Sequence, residues 1–275
     1  MQEREDHILV PRVAVVGVPL DENSSFLRGP ALAPMRIRAA LNSGAMNLCT
    51  EDGVDLGARS DWRDLGDLEI GYGPEAIAGI ERQVSELATG DTRVLSLGGD
   101  HSVTYPLVRA VAAQHPNLTI LHIDAHPDLY DTLEGNRLSH ACPFARIMEE
   151  GLAARLVQVG IRAMNPHQRA QAERFGVEVI EMRACSSDSL SKLNLQGPLY
   201  ISLDLDALDP AFAPGVSHHE PGGLSTRDVL RLLAGIEAPL IGADIVEYNP
   251  VRDHAEMTAM VAAKFYKELV GMLLR

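Results

Sequence analysis

The chain has 275 residues, of which 46% are hydrophobic and 23% charged, as is typical of a globular protein with a sizeable core. Its net charge of −14, with no long basic stretch, argues against nucleic acid or an anionic membrane surface as a partner. Three widely spaced cysteines and an N-terminus without an apolar signal core favour a reducing, cytoplasmic compartment, and no apolar run approaches the roughly 18 residues that span a bilayer.

Eight short apolar segments predict strands. In chain order they are residues 13–19, 62–70, 93–99, 118–124, 156–162, 177–182, 198–204 and 240–248, the second being the weakest. Most are continuously apolar rather than alternating, a pattern typical of strands that are buried on both faces of a parallel sheet. Amphipathic patterns predict helices at residues 75–88, 103–114, 226–236 and 254–275.

This alternation of strands and helices predicts an α/β fold with a largely parallel sheet and helices on both faces. No linker or change of composition divides the sequence, so we expect residues 1–275 to form a single domain. Ligands of open parallel sheets bind outside the carboxyl ends of the strands. The segments that follow the strands are therefore where a functional site is expected.

Polar clusters follow four of the predicted strands. They are Asp100, His101 and Ser102; Asp124, His126 and Asp128; Asp204, Asp206 and Asp209; and Asp244 and Glu247. A single Asp or His at a strand end is usually a turn or hydrogen-bonded residue. Several carboxylates at one sheet edge, however, repel each other strongly unless protons or cations neutralise them. Bound cations would also explain the histidines.

The spacing of Asp124, His126 and Asp128 predicts a metal site, because alternate residues of an extended chain project to the same side. Neighbouring strand ends complete the predicted ligand set with His101, Asp204 and Asp206. Six ligands exceed what one small cation takes from a protein while keeping an open position, so two ions are expected. The oxygen-rich set favours Mn²⁺, with Ni²⁺, Co²⁺ and Zn²⁺ as alternatives. Two such ions can make a shared water a hydroxide near neutral pH.

A formal charge count of the filled site narrows the substrate. Four aspartates cancel two dications, and the hydroxide and Glu247 leave the site net negative. A cationic substrate is therefore favoured, and a phosphoesterase is disfavoured.

Four sequence motifs resemble the signature regions of the ureohydrolases, the arginase/agmatinase family. They are "GGDHS" (98–102), "DAHPD" (124–128), "SLDLDALDP" (202–210) and "GADIVEYNP" (242–250). The stretches "DAHPDLYD" and "EGNRLSHACPFARIMEEG" look closest to the plant-type arginase/agmatinase-like branch. The resemblance implies a three-layer α/β/α sandwich around an eight-stranded, mostly parallel sheet, and a homo-oligomer, either a trimer or a hexamer.

The resemblance also implies a role for each matching residue. The ligands of one manganese would be His101, Asp124, Asp128 and Asp204, and those of the second Asp124, His126, Asp204 and Asp206, with Asp124 and Asp204 bridging. Glu247 would bind the guanidinium group, and His140 or Asp128 would supply a proton to the departing amine. A metal-bridging hydroxide would attack the guanidinium carbon and release urea with a primary amine, as in arginine metabolism or polyamine biosynthesis.

The sequence predicts the reaction more closely than it predicts which guanidino compound is the substrate. The animal arginases have Asn where this chain has Tyr130, as agmatinase-like members do, so arginine (giving ornithine) and agmatine (giving putrescine) are both expected. Guanidinobutyrate, guanidinopropionate and guanidine are the next candidate substrates, after arginine and agmatine. The part of the substrate beyond the guanidinium group is expected to contact loop residues. These are Ser24, Ser25, Phe26, Arg28, Asn136 and His218. Arg28 would either pair with a carboxylate or brace its own loop.

Two other classes stay open at this point. A histone-deacetylase-like amidohydrolase would use one Zn²⁺, and a catalytically silent relative would bind metal without turnover. The complete six-residue ligand set argues against both. His122 shares the spacing of the ligands but lies one step deeper, and we expect it to support them rather than to bind an ion.

Overall fold

The computed structural model describes residues 11–186, 190 and 193–275 and contains the eight predicted strands. They are β1 (Val13–Val18), β2 (Trp62–Asp67), β3 (Arg93–Gly98), β4 (Thr119–Ile123), β5 (Arg155–Ile161), β6 (Glu178–Glu181), β7 (Leu199–Asp204) and β8 (Leu240–Val246). Their order in the single sheet is β2-β1-β3-β8-β7-β4-β5-β6. Each neighbouring pair of strands is parallel. The predicted α/β fold is confirmed, with a sheet that is wholly rather than mostly parallel.

Seven helices of the described residues flank this sheet. They are α1 (Ala33–Leu41), α2 (Pro74–Leu87), α3 (Thr104–Ala112), α4 (Pro143–Glu149), α5 (Pro166–Phe175), α6 (Thr226–Ala234) and α7 (Met257–Leu273). The four predicted helices correspond to α2, α3, α6 and α7, whereas α1, α4 and α5 were not predicted. Helix α5 buries Gln168, Gln171 and Ala172 and therefore shows no apolar stripe in the sequence. None of the helices in the described ranges is long and apolar enough to cross a membrane.

Side chains along each strand alternate between two apolar cores. Leu121 and Ile123 of β4 face the core that is covered by α1, α6 and α7. Leu118, just before β4, and Ile120 face the opposite core, which is covered by α2, α3, α4 and α5. Continuously apolar strands are required when both faces of a sheet are covered, and the result is the three-layer sandwich.

Four strands that are distant in the sequence become neighbours in the sheet, in the order β3-β8-β7-β4. Their carboxyl ends therefore form one edge, and the four polar clusters of the sequence meet there. Below this edge, a row of buried polar side chains runs across the strands in register. The row, called the polar row below, consists of Ser96, Asp244, Ser202, His122 and Gln158.

Candidate metal centre

The His101 side chain lies at the centre of the first group of predicted ligands. Its Nδ1 atom is 3.1 Å from Asp124 Oδ2, 3.0 Å from Asp128 Oδ2 and 3.1 Å from Asp204 Oδ2. The imidazole is completely buried, yet Nδ1 forms no hydrogen bond within the described part of the chain. Ligand atoms about 3 Å apart are expected around one cation with octahedral bonds of about 2.1 Å. This group of atoms therefore fits a divalent cation.

The other nitrogen of His101 is held by the polar row. His101 Nε2 lies 2.9 Å from Ser202 Oγ, and this hydroxyl donates in turn to Asp244 Oδ1 at 2.7 Å. Asp244 also accepts hydrogen bonds from Thr104 Oγ1 and Tyr200 OH. Because the Ser202 proton is committed to Asp244, Ser202 accepts the hydrogen bond from His101 Nε2–H. The Nδ1 lone pair is then directed at the carboxylates, as in a metal-binding histidine.

A second group of ligands lies around His126. The His126 Nδ1 atom is 3.1 Å from Asp206 Oδ2 and 3.5 Å from Asp124 Oδ1. The two oxygens of Asp124 thus face different groups, which is the arrangement of a bridging carboxylate. Asp204 Oδ1 instead accepts a hydrogen bond from the Asp206 N–H at 2.7 Å, so the bridging role of Asp204 stays a prediction.

The backbone reaches this arrangement in a way that the sequence analysis did not foresee. Strand β4 ends at Ile123, and the φ angle of Asp128 is +49°, a left-handed conformation that is uncommon outside glycine. The argument that strand alternation aligns Asp124, His126 and Asp128 is therefore wrong beyond Ile123. Asp206 likewise lies in a 3-10 turn after β7 rather than in an extended strand. The left-handed conformation of Asp128 costs energy that the surrounding structure must offset.

Burial and mutual repulsion disturb the ionisation of the carboxylates. Burial, with Asp206 and Asp124 nearby, raises the pKa of Asp204 well above its usual value. Burial raises the pKa of Asp206 to about 6, against the attraction of His126. Burial opposes ionisation of Asp124 as well, but the His122 and His101 imidazoles hold its pKa well below normal. Burial and the neighbouring carboxylates thus oppose ionisation of Asp204 and Asp206, and a bound cation would favour the ionised form of both.

Glu247 and His140 form a buried pair beside the predicted ligands. Glu247 Oε1 accepts hydrogen bonds from the His101 N–H at 2.9 Å and from His140 Nδ1 at 2.8 Å. His140 Nε2 contacts Ser25 Oγ at 2.8 Å. Burial lowers the pKa of His140, but the Glu247 carboxylate outweighs it and raises the value to about 9. The φ angle of Glu247 is +63°, so this residue, like Asp128, is held in an uncommon conformation.

A cavity of about 200 Å³ opens onto these groups. One end is lined by metal-ligand candidates and the Glu247–His140 pair: His126, Asp128, Asp204, Asp206, His140 and Glu247. The remaining lining is neutral or imidazole: Ser25, Tyr130, Leu133, Ala141, Ala163, Gln168 and His218. Neither Lys nor Arg of the described residues lines the cavity. Its acidic end is suited to a small cationic group.

Besides Glu247 and His140, three of the predicted substrate-contacting residues lie in the cavity wall: Ser25, Tyr130 and His218. The Tyr130 ring stacks on His167, with ring centroids 5.6 Å apart, and its hydroxyl accepts a hydrogen bond from Asn165 Nδ2. The His218 ring lies 5.2 Å from the His140 ring. Burial and His140 lower the pKa of His218.

The other four predicted contacts lie outside this wall: Ser24, Phe26, Arg28 and Asn136. Arg28 is exposed and donates a hydrogen bond to the Glu22 carbonyl, which fits the loop-bracing alternative. Asn136 is exposed and donates to Asn23 Oδ1.

The sequence analysis missed three residues at or below the site: Ser202, Gln158 and Gln168. Ser202 and Gln158 each stand alone as polar letters inside the apolar strands "LYISLD" and "RLVQVGI". A buried polar residue in such a strand must find hydrogen-bond partners, and this was the available signal. Gln168 lies on α5, where no helix was predicted.

The adjacent strand ends of the wholly parallel sheet bring carboxylates and imidazoles together in groups that are placed for metal binding, as in hydrolases that use metal ions. The family model of the arginase family matches residues 11–271. The chain therefore belongs to the arginase family and is a hydrolase of that family, as the motifs indicated.

Individual relatives agree with this assignment. The chain is 50% identical to Arginase 1, mitochondrial, of Arabidopsis thaliana, over 94% of this chain and 80% of that protein. It is 34% identical to a guanidinobutyrase of Pseudomonas aeruginosa, over 94% of this chain and 86% of that protein. The solved structure of an arginase from Medicago truncatula superimposes with a TM-score of 0.91 at 44% identity, covering 96% of this chain and 88% of that one.

Proposed function

We propose that this protein hydrolyses the guanidinium group of a small cationic substrate and releases urea and a primary amine. The observation that carries the proposal is His101 Nδ1, which is buried among three carboxylate oxygens at 3.0–3.1 Å and has no hydrogen bond to any residue that the structure describes. A proton on this nitrogen could satisfy only one of these oxygens, whereas a cation would satisfy all of them. This arrangement supports a bound metal ion, and the chain belongs to a family of hydrolases.

Two divalent cations, Mn²⁺ in the first place, are proposed as the cofactors. One would be held by His101, Asp124, Asp128 and Asp204, and the other by Asp124, His126, Asp204 and Asp206. Oxygen-rich sets of this kind suit Mn²⁺, although Ni²⁺, Co²⁺ and Zn²⁺ accept the same ligands. When bound, the pair would supply an activated water as nucleophile.

Glu247 is proposed to bind and orient the guanidinium group. Its Oε1 atom is occupied by two protein donors, the His101 N–H and His140 Nδ1. Its Oε2 atom accepts no hydrogen bond from the residues that the structure describes, and Glu247 lines the cavity. A guanidinium presents several N–H donors in one plane, so a free carboxylate oxygen at the cavity end can hold it by charge-assisted hydrogen bonds.

His140 is proposed to supply the proton that the departing amine requires. The imidazole donates from Nδ1 to Glu247 and borders the cavity, and its pKa of about 9 keeps it protonated at neutral pH. Ser25 Oγ fixes the other side of the ring. Asp128, which also lines the cavity, is the alternative proton carrier. A positioned acid of this kind is needed because a neutral amine leaves far more readily than an amide anion.

Arginine is the proposed substrate, because the relatives with 45–50% identity are named arginases. The α-carboxylate of arginine would lie toward the neutral part of the cavity, near the Tyr130 hydroxyl and the Gln168 amide. One observation favours agmatine as the second candidate. Neither Lys nor Arg in the described ranges lines the cavity, so a substrate carboxylate would find no cationic side chain of these residues to pair with. Agmatine, which has no carboxylate, would therefore lose no ion pair relative to arginine.

The two other classes are less well supported. A deacetylase-like enzyme with one Zn²⁺ would have no use for the second group, Asp124, His126 and Asp206, whose ligand atoms lie within 4.8 Å of each other. A silent metal-binding relative would have no use for Glu247 in its strained left-handed conformation facing the cavity.

The decisive experiment is urea release from arginine, agmatine, guanidinobutyrate and guanidine by metal-stripped protein with Mn²⁺ or Ni²⁺ added back. We expect metal-dependent urea release, fastest with arginine, and about two bound ions per chain by elemental analysis. His126→Ala should abolish release, while His254→Ala, a surface histidine outside the cavity wall, should not. Absence of urea with every substrate and metal would refute the proposal.

Assembly into a trimer or hexamer is also proposed, on the basis of the family resemblance. Large apolar side chains are exposed on α1 and before α7, among them Met35 and Val251, which are 55% and 69% exposed. Light scattering after gel filtration would give the number of chains.

A further inference from the structure

Gln158 is a completely buried side chain that the proposed chemistry does not use. It lies in β5, in register with His122 of β4, and both are 0% exposed. These two residues form the end of the polar row nearest to β6. The row lies one layer below the carboxylates, so Gln158 touches none of the proposed metal ligands directly.

The hydrogen bonds of Gln158 fix which way its amide points. Its Nε2 atom lies 2.6 Å from the Pro127 carbonyl oxygen and 3.0 Å from His122 Nδ1. A carbonyl oxygen can only accept, so the atom facing Pro127 must be the NH₂ group, and the reversed amide would set two oxygens against each other. The two N–H bonds of Gln158 are then shared between Pro127 and His122.

This orientation determines the tautomer of His122. Because Nδ1 accepts from Gln158, the proton of a neutral His122 ring is on Nε2. His122 Nε2 lies 2.7 Å from Asp124 Oδ2, so it donates to the carboxylate that faces both ion positions. A nitrogen that carries a proton has no lone pair for a metal. His122 is thereby a donor to a ligand and not a ligand itself, although His101, His122 and Asp124 lie close enough together to hold an ion.

We propose that Gln158 is a positioning residue of the metal centre: its amide holds His122 as an Nε2–H donor, and this imidazole fixes the orientation of Asp124 between the two ions. The inference rests on the proposed function, because it assumes that Asp124 binds metal. Gln158 acts through His122 and touches neither substrate nor ion.

Two members of the polar row give two neighbouring histidines the same Nε2–H tautomer but different roles. Ser202 accepts from His101 Nε2–H and leaves Nδ1 free for an ion, whereas Gln158 donates to His122 Nδ1 and leaves a proton on Nε2. The His101 and His122 ring centroids are only 5.0 Å apart. Their roles differ because His101 turns its unprotonated Nδ1 toward the carboxylates, whereas His122 turns its protonated Nε2 toward Asp124.

The cost of Gln158 supports a role beyond packing. Its Oε1 atom is buried and has no hydrogen-bond partner among the described residues, a deficit that destabilises the folded state. An apolar side chain of the same size would avoid that cost. The donor function of Nε2 explains why a glutamine occupies a strand that is otherwise apolar.

The test compares Mn²⁺ binding by calorimetry to stripped protein for the unmodified chain, Gln158→Met and Gln171→Met. Methionine keeps the volume of glutamine but removes its donors. Gln171 on α5 is the matched control, because it is also buried with one unpaired amide atom but contacts none of the proposed metal ligands. We expect Gln158→Met to weaken the affinity about tenfold, the lower end of the range for outer-shell partners, and Gln171→Met to change it less than twofold. Equal affinities for all three proteins would overturn the inference.

A spectroscopic measurement addresses the tautomer itself. In Zn²⁺-loaded protein with ¹⁵N-labelled histidine, His122 should show a protonated Nε2 and an unprotonated Nδ1. In Gln158→Glu, where the new side chain can accept at Nδ1, the proton should shift toward Nδ1 and metal affinity should fall although the shape is unchanged. An unprotonated His122 Nε2 in the unmodified protein would refute the inference even if Gln158→Met does not fold. If the unmodified protein binds no metal, the proposed function fails instead.

Discussion

Replacing Glu247 by Gln tests the proposed guanidinium site with the smallest possible change of shape. In the native site, Oε1 accepts from the His101 N–H at 2.9 Å and from His140 Nδ1 at 2.8 Å. An amide oxygen can take over both of these hydrogen bonds. The amide NH₂ group must then occupy the position of Oε2 and face the substrate, where a guanidinium also presents only donors.

The expected magnitude follows from this geometry. A charge-assisted hydrogen bond contributes about 1.5–3 kcal/mol, and the opposed donors add a further penalty of about 1 kcal/mol or more. A loss of about 3–4 kcal/mol corresponds to a fall in kcat/KM of roughly 10²–10³-fold. The metal content should not change, because neither Glu247 oxygen is within the two groups of metal-ligand candidates.

The assay is urea release from arginine with Mn²⁺ at saturation, together with elemental analysis of bound metal. Glu150→Gln is the matched control, since this carboxylate binds Tyr105 and Arg109 on α3 and lies outside the cavity wall. It should retain activity within about twofold, as expected of a surface change remote from the site. A Glu247→Gln protein with kcat/KM within tenfold of the unmodified enzyme and full metal content would refute the assignment of Glu247.

Three further predictions concern the loop, the metal and the surface. Arg28→Ala should change kcat/KM for arginine less than about twofold, because Arg28 is exposed and, among the described residues, its side chain donates to the Glu22 carbonyl alone. A tenfold loss would instead support the predicted contact of Arg28 with a substrate carboxylate. Chelation should lower the melting temperature by roughly 5–15 °C in scanning fluorimetry, since ions that bind only the folded state stabilise it, and an unchanged value would count against tight metal binding. Arg227 and Lys264 lower the pKa of Glu51 from its usual 4.5 to about 2, against burial. The stabilisation that the Glu51 carboxylate gains from these two cations is therefore complete above pH 4.5 and is lost as the pH falls toward 2. The melting-temperature difference between the unmodified protein and Glu51→Gln should therefore be small at pH 6, because the pair is exposed, and should shrink further at pH 3; a constant difference would contradict this.

The sequence predicted the strands well because their burial on both faces leaves a strong apolar pattern. Helices with a clear apolar stripe were predicted for the same reason. Helix α5 was missed because its buried positions include Gln168 and Gln171, whose amides find partners that only the folded structure provides. Helix α4 buries Pro143, Phe144, Ala145, Arg146 and Ile147 in succession and so offers no periodic contrast. Periodicity detects helices that have one exposed side and fails for these two.

The six metal-ligand candidates were found because several carboxylates at one sheet edge repel each other unless cations neutralise them, so their presence there indicates a metal site. Their paths to the site were not predicted, since the left-handed conformations of Asp128 and Glu247 have no signal in residue type alone. The distal contacts were the hardest to foresee. Arg28 and Tyr130 both looked suited to reading a substrate, but only Tyr130 lies in the cavity wall, a difference that depends on loop geometry.

The polar row explains how an acidic centre of this kind can be built on an apolar sheet. Carboxylates at the strand ends need fixed orientations before a cation arrives, and water cannot provide them because the site is buried. The row supplies donors and acceptors from within the sheet, one residue on each of five strands, where main-chain register holds them in place. Asp244 collects three donors at the end toward β3, and Gln158 directs one imidazole at the end toward β6. The orientation of the ligands is therefore set by the rigid part of the fold, which leaves the loops around Tyr130 and His218 free to differ between enzymes that share the reaction but not the substrate.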